Sequence, residues 1–169
     1  VLIFTGAGVL IFNGLSDSMG VYGSLEGAIK KAQITQDDLL NERHYGGNNY
    51  KLDLIDGSIS GLLSSAPLAI FTALFRPLPW EIGSSTMVVS AIENTVLLLF
   101  LLYSLIRVGP FQFLKIAFND PFLIYCLSFS LVFAFGVGIA STNFGALVRY
   151  KIPLMPFFFS LIYVIREKS

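Results

Sequence analysis

The sequence predicts an all-α integral membrane protein: a bundle of about four transmembrane helices, one interfacial or re-entrant helix, and a small polar loop domain. Three observations carry that prediction. Hydrophobic residues make up 54% of the 169 positions and charged residues only 13%, a balance far from that of a water-soluble domain. The apolar residues are gathered into blocks, and two of these are long enough for a hydrocarbon core of about 30 Å, which takes about 20 helical residues. Eleven Lys+Arg offset eleven Asp+Glu, which argues against a basic nucleic-acid binder and an acidic disordered tail alike.

Taken in order, residues 1–15 read as the end of a transmembrane helix truncated at its start. The chain opens Val-Leu-Ile-Phe without an initiator Met, so we expect the C-terminal part of a longer polytopic protein. Residues 16–60 form the one substantial polar region, with four basic and seven acidic residues, and are expected to be a compact, external loop domain resting on the membrane. Within it, Ser24 to Ala32 reads as a short amphipathic helix, and Thr35 with Asp38 as a capping box opening a further turn. Tyr45-Gly46-Gly47-Asn48-Asn49-Tyr50 reads as an ordered turn between two aromatics.

Residues 61–85 hold the interfacial or re-entrant helix, because Leu62 to Phe75 carries Pro67 and runs straight into Arg76-Pro77-Leu78-Pro79-Trp80-Glu81. Residues 86–107 and 121–140 are the two full-length transmembrane helices, joined by a cytoplasmic loop at 108–120. An external basic loop at 141–151 then leads into a last transmembrane helix at 152–166, lengthened by the snorkelling of Arg149, Lys151 and Arg166. Arg107, Lys115, Arg166 and Lys168 favour the cytoplasmic side by the positive-inside rule. On that orientation Arg76, Glu81, Arg149 and Lys151 share the external face.

Few side chains offer chemistry. One Cys and one His leave no internal disulfide and no Cys/His metal cluster, the Asp residues of the polar region show no ligand spacing, and nothing calls for a cofactor. Glu93 falls within an apolar block, where an ionised carboxylate costs about 2.5–3.5 kcal/mol at a helix centre. With Thr86, Ser90 and Asn94 beside it, Glu93 is either a hydrogen-bonded packing group or a substrate or proton site. Arg76 and Trp80 are either interfacial anchors or, for Arg76, a planar fork for a phosphate or headgroup, with Glu81 as its ion-pair partner or a base. Arg149 and Lys151, just before Pro153 and Pro156, either snorkel or receive an anion at the start of the last helix. Ala134, Gly136, Gly138 and Ala140 recur four apart in two overlapping pairs, as close packing of helices in lipid uses.

Phe75 to Glu81, Ala91-Ile92-Glu93-Asn94 and Asn143 to Pro156 resemble polytopic bacterial membrane proteins of surface-polysaccharide biosynthesis. In particular, Arg149-Tyr150-Lys151-Ile152-Pro153-Leu154-Met155-Pro156 is similar to the Arg-Tyr and spaced prolines near the end of membrane glycosyltransferases that use polyprenyl-phosphate sugars. The resemblance covers roughly residues 61–169 and carries over no catalytic residue. It implies the bacterial inner membrane and a lipid-linked saccharide bound at the external face, its phosphate near Arg76, Arg149 and Lys151, with partner membrane subunits a further expectation. A transporter or flippase using Glu93, or a noncatalytic scaffold, are the alternatives.

Overall fold

The computed structural model describes residues 20–40, 49–50 and 59–169. The expected helix at 1–15 and much of the 16–60 loop lie outside the described residues. The rest is helical: α1 (Leu25–Leu39), α2 (Ile59–Phe75), α3 (Ser85–Val108), α4 (Pro110–Asn119), α5 (Pro121–Ala140), α6 (Phe144–Tyr150) and α7 (Met155–Glu167), with short 3-10 turns at Gly20–Gly23, Pro79–Glu81 and Ile152–Leu154. No β-strand occurs among the described residues; a single antiparallel bridge joins Asn49 to Asn143.

Helix α1 starts where Ser24, in an extended conformation, accepts from the Gly27 N–H at 3.0 Å. The break expected near Thr35 is absent. The Thr35 hydroxyl instead donates to the Lys31 carbonyl one turn back at 2.9 Å, and no Gly or Pro falls between Ala28 and Leu39, so one helix runs through. Its buried positions Ile29, Ala32 and Leu39 lie on one face with Gln36, whose side-chain amide donates to the Ile139 carbonyl at the end of α5.

Three segments are long and apolar enough to cross a membrane: Met87–Val108, Pro121–Ala140 and Phe144–Glu167, while Leu63–Phe75 is a shorter apolar helix. The third includes α6, the Ile152–Leu154 turn and α7; Pro153 and Pro156 fall in first turns, where no backbone donor is lost. The two segments expected as loops contain helices. Asp120 caps α5 by accepting from Phe122 and Leu123, and Asn143 caps α6 by accepting from Gly145 and Ala146. Gly109, at φ 82°, ends α3 and Pro110 starts α4 at once, so the 108–120 connection is itself helical.

Two ends of the bundle can be told apart by their polar contacts. At one, Lys168 pairs with Asp120 and the Arg166 guanidinium lies 5.1 Å from the Tyr103 ring, which brings together the end of α7, the end of α3 and the start of α5. At the other, Lys151 reaches Asn94 and the Arg76 carbonyl, and Tyr50 stacks on Phe144. Thus α3, α5 and α6–α7 alternate in direction. Helix α2 runs toward the Lys151 end, where Arg76 at its close lies with its guanidinium 4.6 Å from the Tyr50 ring.

The core lies where α2, α5 and α7 meet, around Leu74, Phe75, Leu123, Cys126, Phe158 and Ile162. At the closest approach of α2 to α5, a Cβ added to Gly138 would fall 2.1 Å from the Ala69 carbonyl oxygen. Only glycine admits that approach. The two small-residue pairs therefore divide: Ala134 and Gly138 are buried, while Gly136 opens outward with nothing within 4 Å. Apolar side chains such as Val89, Val96, Ile106 and Val132 point away from the protein, as a lipid-facing surface requires.

Candidate functional site: a charged brace and an arginine-edged groove

The Arg-Pro-Leu-Pro-Trp-Glu run folds back on itself. Arg76 continues from α2 by donating its backbone N–H to the Thr72 carbonyl at 3.1 Å, and the Arg76–Pro77 peptide is cis. Glu81, on the 3-10 turn, accepts from Arg76 Nε at 2.8 Å and from Nη2 through one oxygen, and from the Leu78 N–H at 2.9 Å through the other. Of the two roles open to Glu81, it takes that of ion-pair partner. The guanidinium is also packed against two rings, 4.6 Å from Tyr50 and 5.2 Å from Phe144, which stack on each other with centroids 4.6 Å apart. Tyr50 is fixed in turn, its N–H on the Thr142 carbonyl and its hydroxyl on the Ser141 carbonyl, each at 2.9 Å. Burial holds the Tyr50 phenol above its ordinary value, with Arg76 acting the other way and Glu81 adding to the rise, so the hydroxyl is a neutral donor.

Lys151 is only 4% exposed. Its ammonium donates to Asn94 Oδ1 and reaches the Arg76 carbonyl at 3.4 Å, while the Asn94 amide donates to the Pro77 carbonyl at 3.4 Å. Lys151 forms no ion pair among the described residues; Glu93 acts on it electrostatically from farther away. These contacts tie the 76–81 turn, α3 and the α6–α7 connection into one brace.

Of the residues singled out from sequence, Arg76, Glu81, Asn94 and Lys151 come together. Glu93 does not join them. Adjacent helical residues diverge by about 100°, so Asn94 points inward at 1% exposure while Glu93 points out. Its neighbour's contacts with Pro77 and Lys151 set this turn of α3 level with the brace, and Glu93 itself lies within the apolar segment Met87–Val108. Arg149 is exposed, and its Nε donates to the Gly145 carbonyl of its own helix at 3.0 Å. It edges an open apolar groove of about 570 Å³ lined by Val132, Phe133, Gly136, Val137, Ala140, Tyr150 and Pro153. Trp80, 79% exposed, stands outside the brace.

The sequence reading missed Tyr50 and Phe144 as the platforms of Arg76. Tyr50 lay in the turn expected to be ordered and Phe144 in the expected external basic loop, but nothing local pairs positions 94 residues apart. Comparison with protein families, curated proteins and solved structures finds no match.

Proposed function

We propose that this chain is the membrane part of a bacterial envelope-polysaccharide protein that acts on a lipid-linked saccharide, by glycosyl transfer or polymerisation, at the Lys151 end of the bundle in the inner membrane. One observation carries the reading: an exposed guanidinium, Arg149, edges a groove that is otherwise apolar. Such a pairing suits an amphiphile, with a phosphate on the arginine and a hydrocarbon tail along Val132, Gly136 and Ala140. Arg76 and Lys151 serve this reading from beneath. Their donors are engaged inside the brace, where they hold α6, and with it Arg149, in place; Lys151, whose charge no ion pair offsets among the described residues, adds positive potential.

The test is polysaccharide output from cells carrying Arg149→Ala or Arg149→Lys in the full-length protein at normal levels. The alanine variant should lose most output and the lysine variant keep part of it. Unchanged output in the alanine variant overturns the proposal, and loss of function on Glu93→Gln alone would move the reading to transport.

A further inference from the structure

Helix α4 presents three faces. At about 100° per residue, Phe113 and Ala117 fall together and are buried against the bundle. Gln112, Lys115 and Asn119 form a second, polar face. The third holds Phe111, Leu114 and Phe118, which lie within about 60° of one another and are 89%, 48% and 60% exposed. An amphipathic helix in water needs two faces, one dry and one wet. A third, apolar and uncovered, requires a second apolar medium.

Position supplies that medium. Only Gly109 separates α4 from the end of α3, and only Asp120 separates it from the start of α5, and both neighbours are long and apolar enough to cross a bilayer. Their ends fix α4 at the level where hydrocarbon gives way to headgroups. In the last turns of α3, which lead into α4, Leu102 and Ile106 are also exposed. Lys115 on the polar face and Arg107 at the end of α3 stand where lipid phosphates lie.

We infer that α4 is an interfacial helix seated in the phospholipid leaflet at the Lys168 end of the bundle, with Phe111, Leu114 and Phe118 inserted among the upper acyl chains and Lys115 on the headgroup phosphates. The inference does not depend on any saccharide, and its test needs none.

The chain has one tryptophan, so Trp80→Phe gives a dark background into which Phe111→Trp, Phe118→Trp or Gln112→Trp is placed singly. The full chain is reconstituted into phosphatidylcholine–phosphatidylglycerol vesicles, and each variant is quenched either by lipids brominated near the headgroup or by aqueous acrylamide. The indoles from Phe111→Trp and Phe118→Trp should be quenched at least about twofold more by the brominated lipid than the one from Gln112→Trp, and correspondingly less by acrylamide. Strong acrylamide quenching of all three variants would overturn the inference. So would shielding of the Phe111 and Phe118 positions from both quenchers together with cross-linked dimers, which would put a second copy on the face.

Discussion

Replacing Gly138 by alanine tests the helix crossing on which the bundle depends. The new methyl would sit 2.1 Å from the Ala69 carbonyl oxygen, 2.6 Å from its carbonyl carbon and 2.9 Å from its Cα, all backbone atoms that no rotamer change can move. Ordinary contact begins near 3.4 Å, so α2 and α5 would have to part by about 1.3 Å there. Overpacking of this kind costs about 1–3 kcal/mol, and the backbone obstacle places Gly138→Ala toward the upper end. Alanine is a better helix former than glycine by up to about 1 kcal/mol, which would mask part of the effect. Gly136→Ala removes that ambiguity, because it makes the same chemical change on the same helix with nothing within 4 Å. The chain's one cysteine, Cys126, is buried in α5, so its reaction with a thiol-activated fluorophore on heating in detergent reports opening of this core. Gly138→Ala should melt several degrees below Gly136→Ala, at about 2–4 °C per kcal/mol. Ala69→Gly should not restore it, since the obstructing atoms belong to the main chain. Equal melting of the two alanine variants would refute the close crossing.

The brace and the Lys168 end give further expectations. Lys151→Met and Asn94→Leu each leave a buried polar partner unmatched and should each lower stability by about 1–3 kcal/mol in the Cys126 assay, with the double variant losing clearly less than the sum. Arg76→Lys keeps the charge but gives up the planar two-donor contact with Glu81 and the stacking on Tyr50 and Phe144; a loss of about 1–2 kcal/mol is expected, and a wild-type melting profile would argue against the sandwich. The Lys168 ammonium, aided by the Phe122 and Leu123 N–H groups, holds the Asp120 carboxyl below its ordinary value of 3.8, so the ionised form is favoured in the folded protein. Its contribution is present above that ordinary value and is lost as pH falls through the folded one; the melting difference between wild type and Asp120→Asn should therefore shrink on acidification, and shrink also with salt.

The long apolar helices were legible because block length against bilayer thickness is a local property: 86–107 and 121–140 were expected, and helices run Ser85–Val108 and Pro121–Ala140. The polar turn at Arg76 to Glu81 was also legible as a rigid unit, since its prolines and opposite charges lie within six residues. What failed was the treatment of short connections as loops. Helix α4 signals itself through the spacing of Phe113 and Ala117 opposite Phe111, Leu114 and Phe118, but a ten-residue pattern between two spans is easily read as their continuation. Glu93 drew attention through its charge, whereas its uncharged neighbour Asn94 makes the buried contact; the choice between them depends on helix rotation, which is set by tertiary packing. Tyr50 and Phe144 could not be paired because contact across 94 positions leaves no mark in either segment.

The meeting of Tyr50 with Arg76 has a bookkeeping consequence for sidedness. Gln36 holds α1 to the far tip of α5, at the end where Tyr50 meets Arg76, whereas the terminal Ser169 follows Lys168 at the opposite end. Once the three long segments traverse the lipid, α1 and Ser169 face opposite sides of it.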